Sequence, residues 1–460
     1  MGSNQVLQST GGTLDISAVG GFVVYAGSSV LSSGNLNIYA NGSSSNNNGF
    51  WLGSGSIVRS SAGSININSI GWNGMYFDDS ASTIRANVNL TINLVGQNDT
   101  AFYNRVANTC ASTCGFISDT GNIVISGVNQ ANSYNDPAFI IRTGLTANGT
   151  TAGNGNITVT GVGTEGGIYF DSSVYGYVNA YNNINLIGYG GSTGANGYDN
   201  GITFNASGPT LSATAGGILR STAGNITLSG YSAYNVGIYS QTNAVNIVAL
   251  AGNVTFQGAT LSTNSGDSLA GANAAIASLY SSAISQITNT SGTSNNNPRS
   301  NTVTGFAAPN NGNPALAKYW GVYWTGNIYA VNNPSSVGGG TAAISGGAIN
   351  VSGASLNGNA CVSTSVCDSG AGVVILDGGN IYAYRGVTLY GNGAPAGLTA
   401  TTGVNYGILI WSTTTTIRSY AGAVNLTGYA NGFETSSNFQ ANSIAAGIFI
   451  YDSHNLIQGN

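Results

Sequence analysis

The feature that most constrains this chain is a unit that returns from one end to the other, seen most clearly in GNITLSGYSAYNVGIYSQTNAVNIVALA from Gly224 to Ala251. Three short runs rich in Ile, Val, Leu, Tyr and Thr, at Asn225 to Ser229, Gly237 to Tyr239 and Ala244 to Leu250, are separated by Gly, Asn and Ser, and Gly252 starts the pattern again. A unit of about 28 residues with three strands cannot bury an apolar face alone, so it must stack on its neighbours as solenoid repeats do.

The opening run recurs at Gly34, Gly63, Asn89, Gly121, Gly155, Asn183, Gly224 and Gly252, and is read again at Gly326, Gly347, Gly379 and Gly422. Its apolar residues alternate with Asn, Thr and Ser, which gives one buried and one solvated face. A second run is equally regular: GFWL from Gly49, GMYF from Gly74, GIYF from Gly167, GVYW from Gly321 and GIFIY from Gly447. A third appears as SIVRSSAG from Ser56, GILRSTAG from Gly217 and TIRSYAG from Thr416. The predicted fold is all-β, a parallel β-helix with three short strands per coil, in which 1–258 and 320–460 form one continuous solenoid. Residues 259–319 read as an irregular insertion. Within it, Ala275, Ile276, Leu279, Tyr280, Ala283, Ile284 and Ile287 fall at helical spacing, which predicts a helix of about four turns. Asn289 to Asn313, with Pro298 and Pro309, reads as loop.

Composition excludes several classes. The 460 residues are 42% hydrophobic and only 5% charged, the reverse of a disordered chain. With Lys318 the only lysine and a net charge of -5, nothing could neutralise a run of phosphates, so nucleic acid is not expected as a partner. No apolar run reaches the roughly 18 residues of a spanning helix. The alternating runs are also shorter than the about 9–11 residues of a barrel strand, so the chain is expected not to span a membrane. The sequence reads as a piece of a longer exported protein. Cys110 with Cys114, and Cys361 with Cys367, lie close enough to close two local disulfide loops, as an oxidising compartment permits. Metal ligation and free thiols are the alternatives.

Candidate chemistry is sparse. Asp78, Asp79, Asp171 and Asp452 recur after the second run, where an Asp-Ser pair caps turns; catalysis or calcium binding is the rival reading. The lone histidine, His454, has no nucleophile beside it. Gly161 to Gly166 matches G-x-G-x-x-G, but a strand follows it instead of a helix. Arg59, Arg220 and Arg418 share one place in the unit, as corner residues or as a ligand-binding row. The opening asparagines, Asn122, Asn156, Asn225, Asn253, Asn327 and Asn380, should stack between coils as a ladder. No cofactor and no enzymatic role is expected. The 25 tyrosines are the strongest binding signal, since each joins an apolar face to a polar tip; stacked tyrosines that merely cover the coils are the alternative. Partner contact is expected at the 259–319 loop, including Asn289, Arg299 and Asn311, and at Tyr189 and Tyr198. An irregular element discriminates between partners better than repeated coils.

The phrases GNITLSG, GNITVTG and AGNITLSGYS followed by GIYS resemble the repeats of filamentous-haemagglutinin-type exoproteins, adhesins secreted by the two-partner route in Gram-negative bacteria. The resemblance implies a right-handed parallel β-helix, exposure at the cell surface or secretion past the outer membrane, and adhesion to a receptor or glycan. No NPNG-type secretion motif is present, so it implies shaft or contact region rather than export domain. A structural filament or surface-layer subunit, and a carbohydrate-active β-helix enzyme, are the alternatives.

Overall fold

A computed structural model describes residues 1–42, 47–78, 81–105, 114–130, 137–171, 177–191, 200–205, 219–233, 236–240, 246–260, 272–278, 286–288, 300–307, 318–324, 327–331, 346–355, 371–376, 379–393, 404–411, 414–430, 444–451 and 454–460. Every named strand pairs in parallel with its counterparts in the adjacent coils, and the strands fall into three sheets. The protein is a three-faced parallel β-helix.

Face one has 14 strands, beginning Val6–Ser9, Ser29–Ser32 and Ile57–Ser60. Face two has 13, beginning Leu14–Val19, Leu36–Asn41 and Ile65–Gly71, and contains the opening run. Face three also has 13, beginning Phe22–Val24, Phe50–Leu52 and Met75–Phe77, and contains the second run. At about 4.8 Å per coil the stack is roughly 60 Å long.

Alternation along each strand sets the core. On face two, Leu36, Ile65, Leu90, Ile123, Ile157, Ile184, Ile226 and Val254 form one in-register column and are all buried. On face three Phe50, Met75 and Phe102 do the same, with Phe22 half-buried at the open end. The corner between these faces is tight. A side chain at Gly230 would collide with the Gly237 carbonyl, and one at Gly305 with that of Gly321, so the Gly of the GNITLSG phrase is fixed by backbone approach.

Two expectations are corrected. Both ends of the helix expected over Ala275 to Ile287 are strands instead, Ala272–Ser278 on face three and Gln286–Thr288 on face one, and 279–285 lie outside the described residues. Ile276 lies in register between Ile238 and Val322, and Ile287 between Ile247 and Ile328. Hydrogen bonding from coils on both sides overrides a spacing that fits a helix in isolation. The stretch read as loop also contains a strand of face two, Asn301–Ala307, paired with Val254–Thr260 and with Ala348–Ser355. The strands within 259–319 therefore continue the solenoid.

The second correction concerns register. GNIYAV at Gly326 and GNIYAY at Gly379 are not opening runs, since Ile328–Ala330 and Ile381–Ala383 belong to face one. The face-two strand that follows Ile381–Ala383 is Gly386–Gly393. Gly-Asn marks a corner, and this coil has more than one.

Candidate contact surfaces

The three faces are held in register by small polar side chains at their corners. In R-S-x-A-G the serine does the work. Ser60 Oγ donates to the Gly34 carbonyl at 2.6 Å and accepts from the Gly63 amide at 2.9 Å. Ser221 donates to the Gly224 carbonyl and accepts from its amide, and Ser419 accepts from the Gly422 amide at 3.1 Å. All three serines are buried. The arginines just before them point outward into one column of face one, as expected. Arg59 lies beside Arg85 in that column, and Arg85 Nε donates to Asp119 at 2.9 Å. Arg59 borders a shallow cavity of about 320 Å³ with Gln8, Ser9 and Leu31. Arg418 sits over the Tyr420 ring at 4.5 Å, next to the stacked pair Tyr329–Tyr382. The three expected arginines share a column but lie coils apart, so they make no common site.

The asparagine ladder is present and differs in bonding from a pure amide stack. Each side-chain oxygen accepts the backbone amide of the next coil, at 2.8–3.0 Å, from Asn89 to Asn122, Asn156, Asn183, Asn225, Asn253 and Ser300. Amide to amide bonds of 2.9 Å supplement it at Asn156 and Asn183. Asn327 and Asn380 belong to a second ladder on face one, in which Asn380 donates to Asn327 at 3.0 Å and accepts from the Thr416 amide.

Of the remaining candidates, Asp78 pairs with Arg105 at 3.1 Å. Asp171 ends the strand Ile168–Asp171, and His454 is exposed. Gly161 lies at the end of Ile157–Val162, and the next element is again a strand, as expected. Among the described residues no three His, Cys, Asp or Glu side chains gather as a metal site, and no helix is long and apolar enough to cross a membrane. Cys114 is buried, and among the described residues there is no free cysteine. Cys110, Cys361, Cys367, Asp79, Asp452, Tyr198, Asn289, Arg299 and Asn311 lie outside the described residues.

Aromatic side chains stand out on the outer surface. Tyr189 is 42% exposed on face two and stacks on Tyr231 with centroids 5.1 Å apart. Tyr390 faces Tyr429 at 5.8 Å, and Trp411 faces Tyr451 at 5.4 Å, all four exposed. On face three Tyr25, Trp51, Tyr76 and Tyr103 form a continuous run, with centroids 5.9, 6.0 and 5.4 Å apart. Burial raises the Tyr76 phenol above its ordinary pKa, an effect the neighbouring Arg105 opposes. Sequence reasoning singled out Tyr189 but missed Trp51, Tyr76 and Tyr103. The recurring aromatic in G-F-W-L, G-M-Y-F and A-F-Y-N, always one place after a core residue, is the signal that would have found them.

No family model matches the chain, and neither the curated proteins nor the solved structures contain a match.

Proposed function

We propose that the chain is a surface-exposed or secreted adhesin segment of a Gram-negative bacterium, a rod whose coils carry contact surfaces to a receptor or glycan on host or bacterial cells. The observation that carries this reading is the repeated display of aromatic pairs, Tyr189–Tyr231, Tyr390–Tyr429 and Trp411–Tyr451, on the outer faces of one continuous stack. Rigid aromatics with a polar tip supply contact area at low entropic cost. Export suits the expected disulfides. The resemblance to filamentous-haemagglutinin repeats points the same way. Binding of the labelled fragment to epithelial and bacterial cells, compared with a variant carrying Tyr189→Ala, Tyr390→Ala and Trp411→Ala, tests it: weaker binding at unchanged thermal stability supports the reading, and equal binding rejects these faces as the contact.

A further inference from the structure

The outward column of face three divides into two parts. In register it runs Val23, Trp51, Tyr76, Tyr103, Ile140, Tyr169, Thr203 and Tyr239. From Ile140 onward these side chains are buried, at 8% exposure or less, although they point away from the central core. Trp51, Tyr76 and Tyr103 remain partly open, and Tyr25 at the start of the run is 47% exposed. The early coils thus keep an uncovered aromatic strip on a face whose later part is covered.

The rings are not all stacked alike. Tyr76 and Tyr103 are within 21° of parallel, whereas Trp51 is turned 83° from Tyr76 and 49° from Tyr25. A ladder of parallel rings would offer only edges, but the turn at Trp51 presents ring faces and ring edges along one line. Among the described residues, charged groups meet the strip beside Tyr76 and Tyr103. Arg105 donates to Asp78 at 3.1 Å and lies against Tyr76. Arg142 covers the Tyr103 ring at 5.8 Å and donates to the carbonyls of Asn104 and Arg105, each at 2.9 Å.

We infer that Tyr25, Trp51, Tyr76 and Tyr103, with Asp78 and Arg105, form a binding strip for a linear, uncharged oligosaccharide. Ring faces pack against the C–H faces of sugars, and phenol edges meet hydroxyls. The coil spacing of about 4.8 Å is close to the advance of one hexose in an extended chain, so successive sugars can meet successive coils. The Asp78–Arg105 pair supplies acceptor and donor side by side, which suits vicinal hydroxyls, since each of them both donates and accepts. Asp78 neutralises Arg105, and Arg142 is turned onto the Tyr103 ring and two backbone carbonyls, so a polyanionic chain gains little from these groups and must desolvate its own charges on an aromatic surface. The site rests on the reading of the chain as a binding rod and names the ligand class for one of its faces.

The test is calorimetric titration of the whole chain with cellohexaose and with hexagalacturonate. The expected result is preference for cellohexaose, with Trp51→Ala weakening its binding about tenfold or more, as loss of an interface aromatic does. Asp78→Asn, which leaves Arg105 unneutralised, should shift preference toward hexagalacturonate by about tenfold, the weight of a charge-assisted bond. Val124→Ala, exposed on face two and away from every aromatic contact described, should change neither titration. Tyr25→Ala, at an exposed ring, provides the same reading should Trp51→Ala lower thermal stability. The inference is overturned if the wild-type chain binds neither sugar, if the Trp51 and Tyr25 variants bind as wild type, or if hexagalacturonate is preferred from the start. It is also overturned if the strip mediates a dimer that Trp51→Ala dissolves in sedimentation. Cell binding that persists in a chain indifferent to both sugars would reject this strip while leaving the adhesin reading in place.

Discussion

The coils before and after residue 260 solve the same packing problem differently. Before it, face three is built from short strands such as Phe50–Leu52 and Phe102–Asn104, the face-two core column is wholly apolar, and one asparagine ladder runs along the corner from Asn89 to Asn253. After it, face three widens to Lys318–Trp324, Val404–Trp411 and Ile444–Tyr451, and the ladder passes to face one through Asn327 and Asn380. A second buried cluster, which begins before the boundary at Val236 and Tyr239 and continues through Trp320, Val374, Tyr406 and Leu409, covers the outside of that face. Where strands are short, corner amides hold the register; where they are long, more ladder bonds and a second apolar layer take over part of that task. At the junction Asn301 occupies the core column between Val254 and Ile349, fully buried, with Nδ2 donating to the Tyr329 carbonyl at 2.8 Å and Oδ1 unpaired.

The largest way to probe the late coils is Trp324→Ala. Trp324 is 1% exposed and meets Phe256 edge to face at 5.9 Å, so it links the two regions. Its truncation should cost about 3–5 kcal/mol in denaturant unfolding. Next comes the polar residue in the core column. Val254→Asn places an amide in the early, fully apolar column and should cost about 3 kcal/mol. Asn301→Leu, one coil later, should change stability by no more than about 1 kcal/mol, because loss of the bond to Tyr329 is offset by removal of the orphan oxygen. Equal costs at the two positions would erase the distinction between the regions.

The ladder gives a smaller effect. Asn156→Ala leaves the Asn183 amide without its acceptor and should cost about 1–2 kcal/mol. Asn380→Ala, flanked by the longer strands, should cost less, and chemical denaturation of the two variants side by side checks the order. The smallest effect belongs to Arg85 and Asp119, whose side chains are 44% and 24% exposed. Arg85→Gln should change stability by less than about 1 kcal/mol, and the change should fade in molar salt.

Much of this was legible in the sequence, and the reasons for the rest are physical. The alternation in GNITLSG and the GIYS-type phrases located faces two and three because a buried strand face needs period two. The Gly-Asn phrase misled at Gly326 and Gly379, since it encodes a corner with an amide ladder and says nothing about which corner. Asn301–Ala307 was hidden because its first core position is Asn and it follows an asparagine-rich run. Ala272–Ser278 was hidden because alanine fits helix or strand and only neighbouring coils decide. The outward aromatic run was overlooked because Trp51, Tyr76 and Tyr103 come from different coils, and only register brings them together.

The central claim is that one continuous three-faced stack runs through 259–319, with Asn301–Ala307 as a face-two strand. Hydrogen–deuterium exchange read by mass spectrometry on peptides covering 254–260, 301–307 and 349–355 tests it most directly. The account predicts comparable slow exchange in all three, because each strand is bonded on both sides. Exchange of 301–307 at the rate of an unstructured peptide, beside protected 254–260 and 349–355, would contradict it.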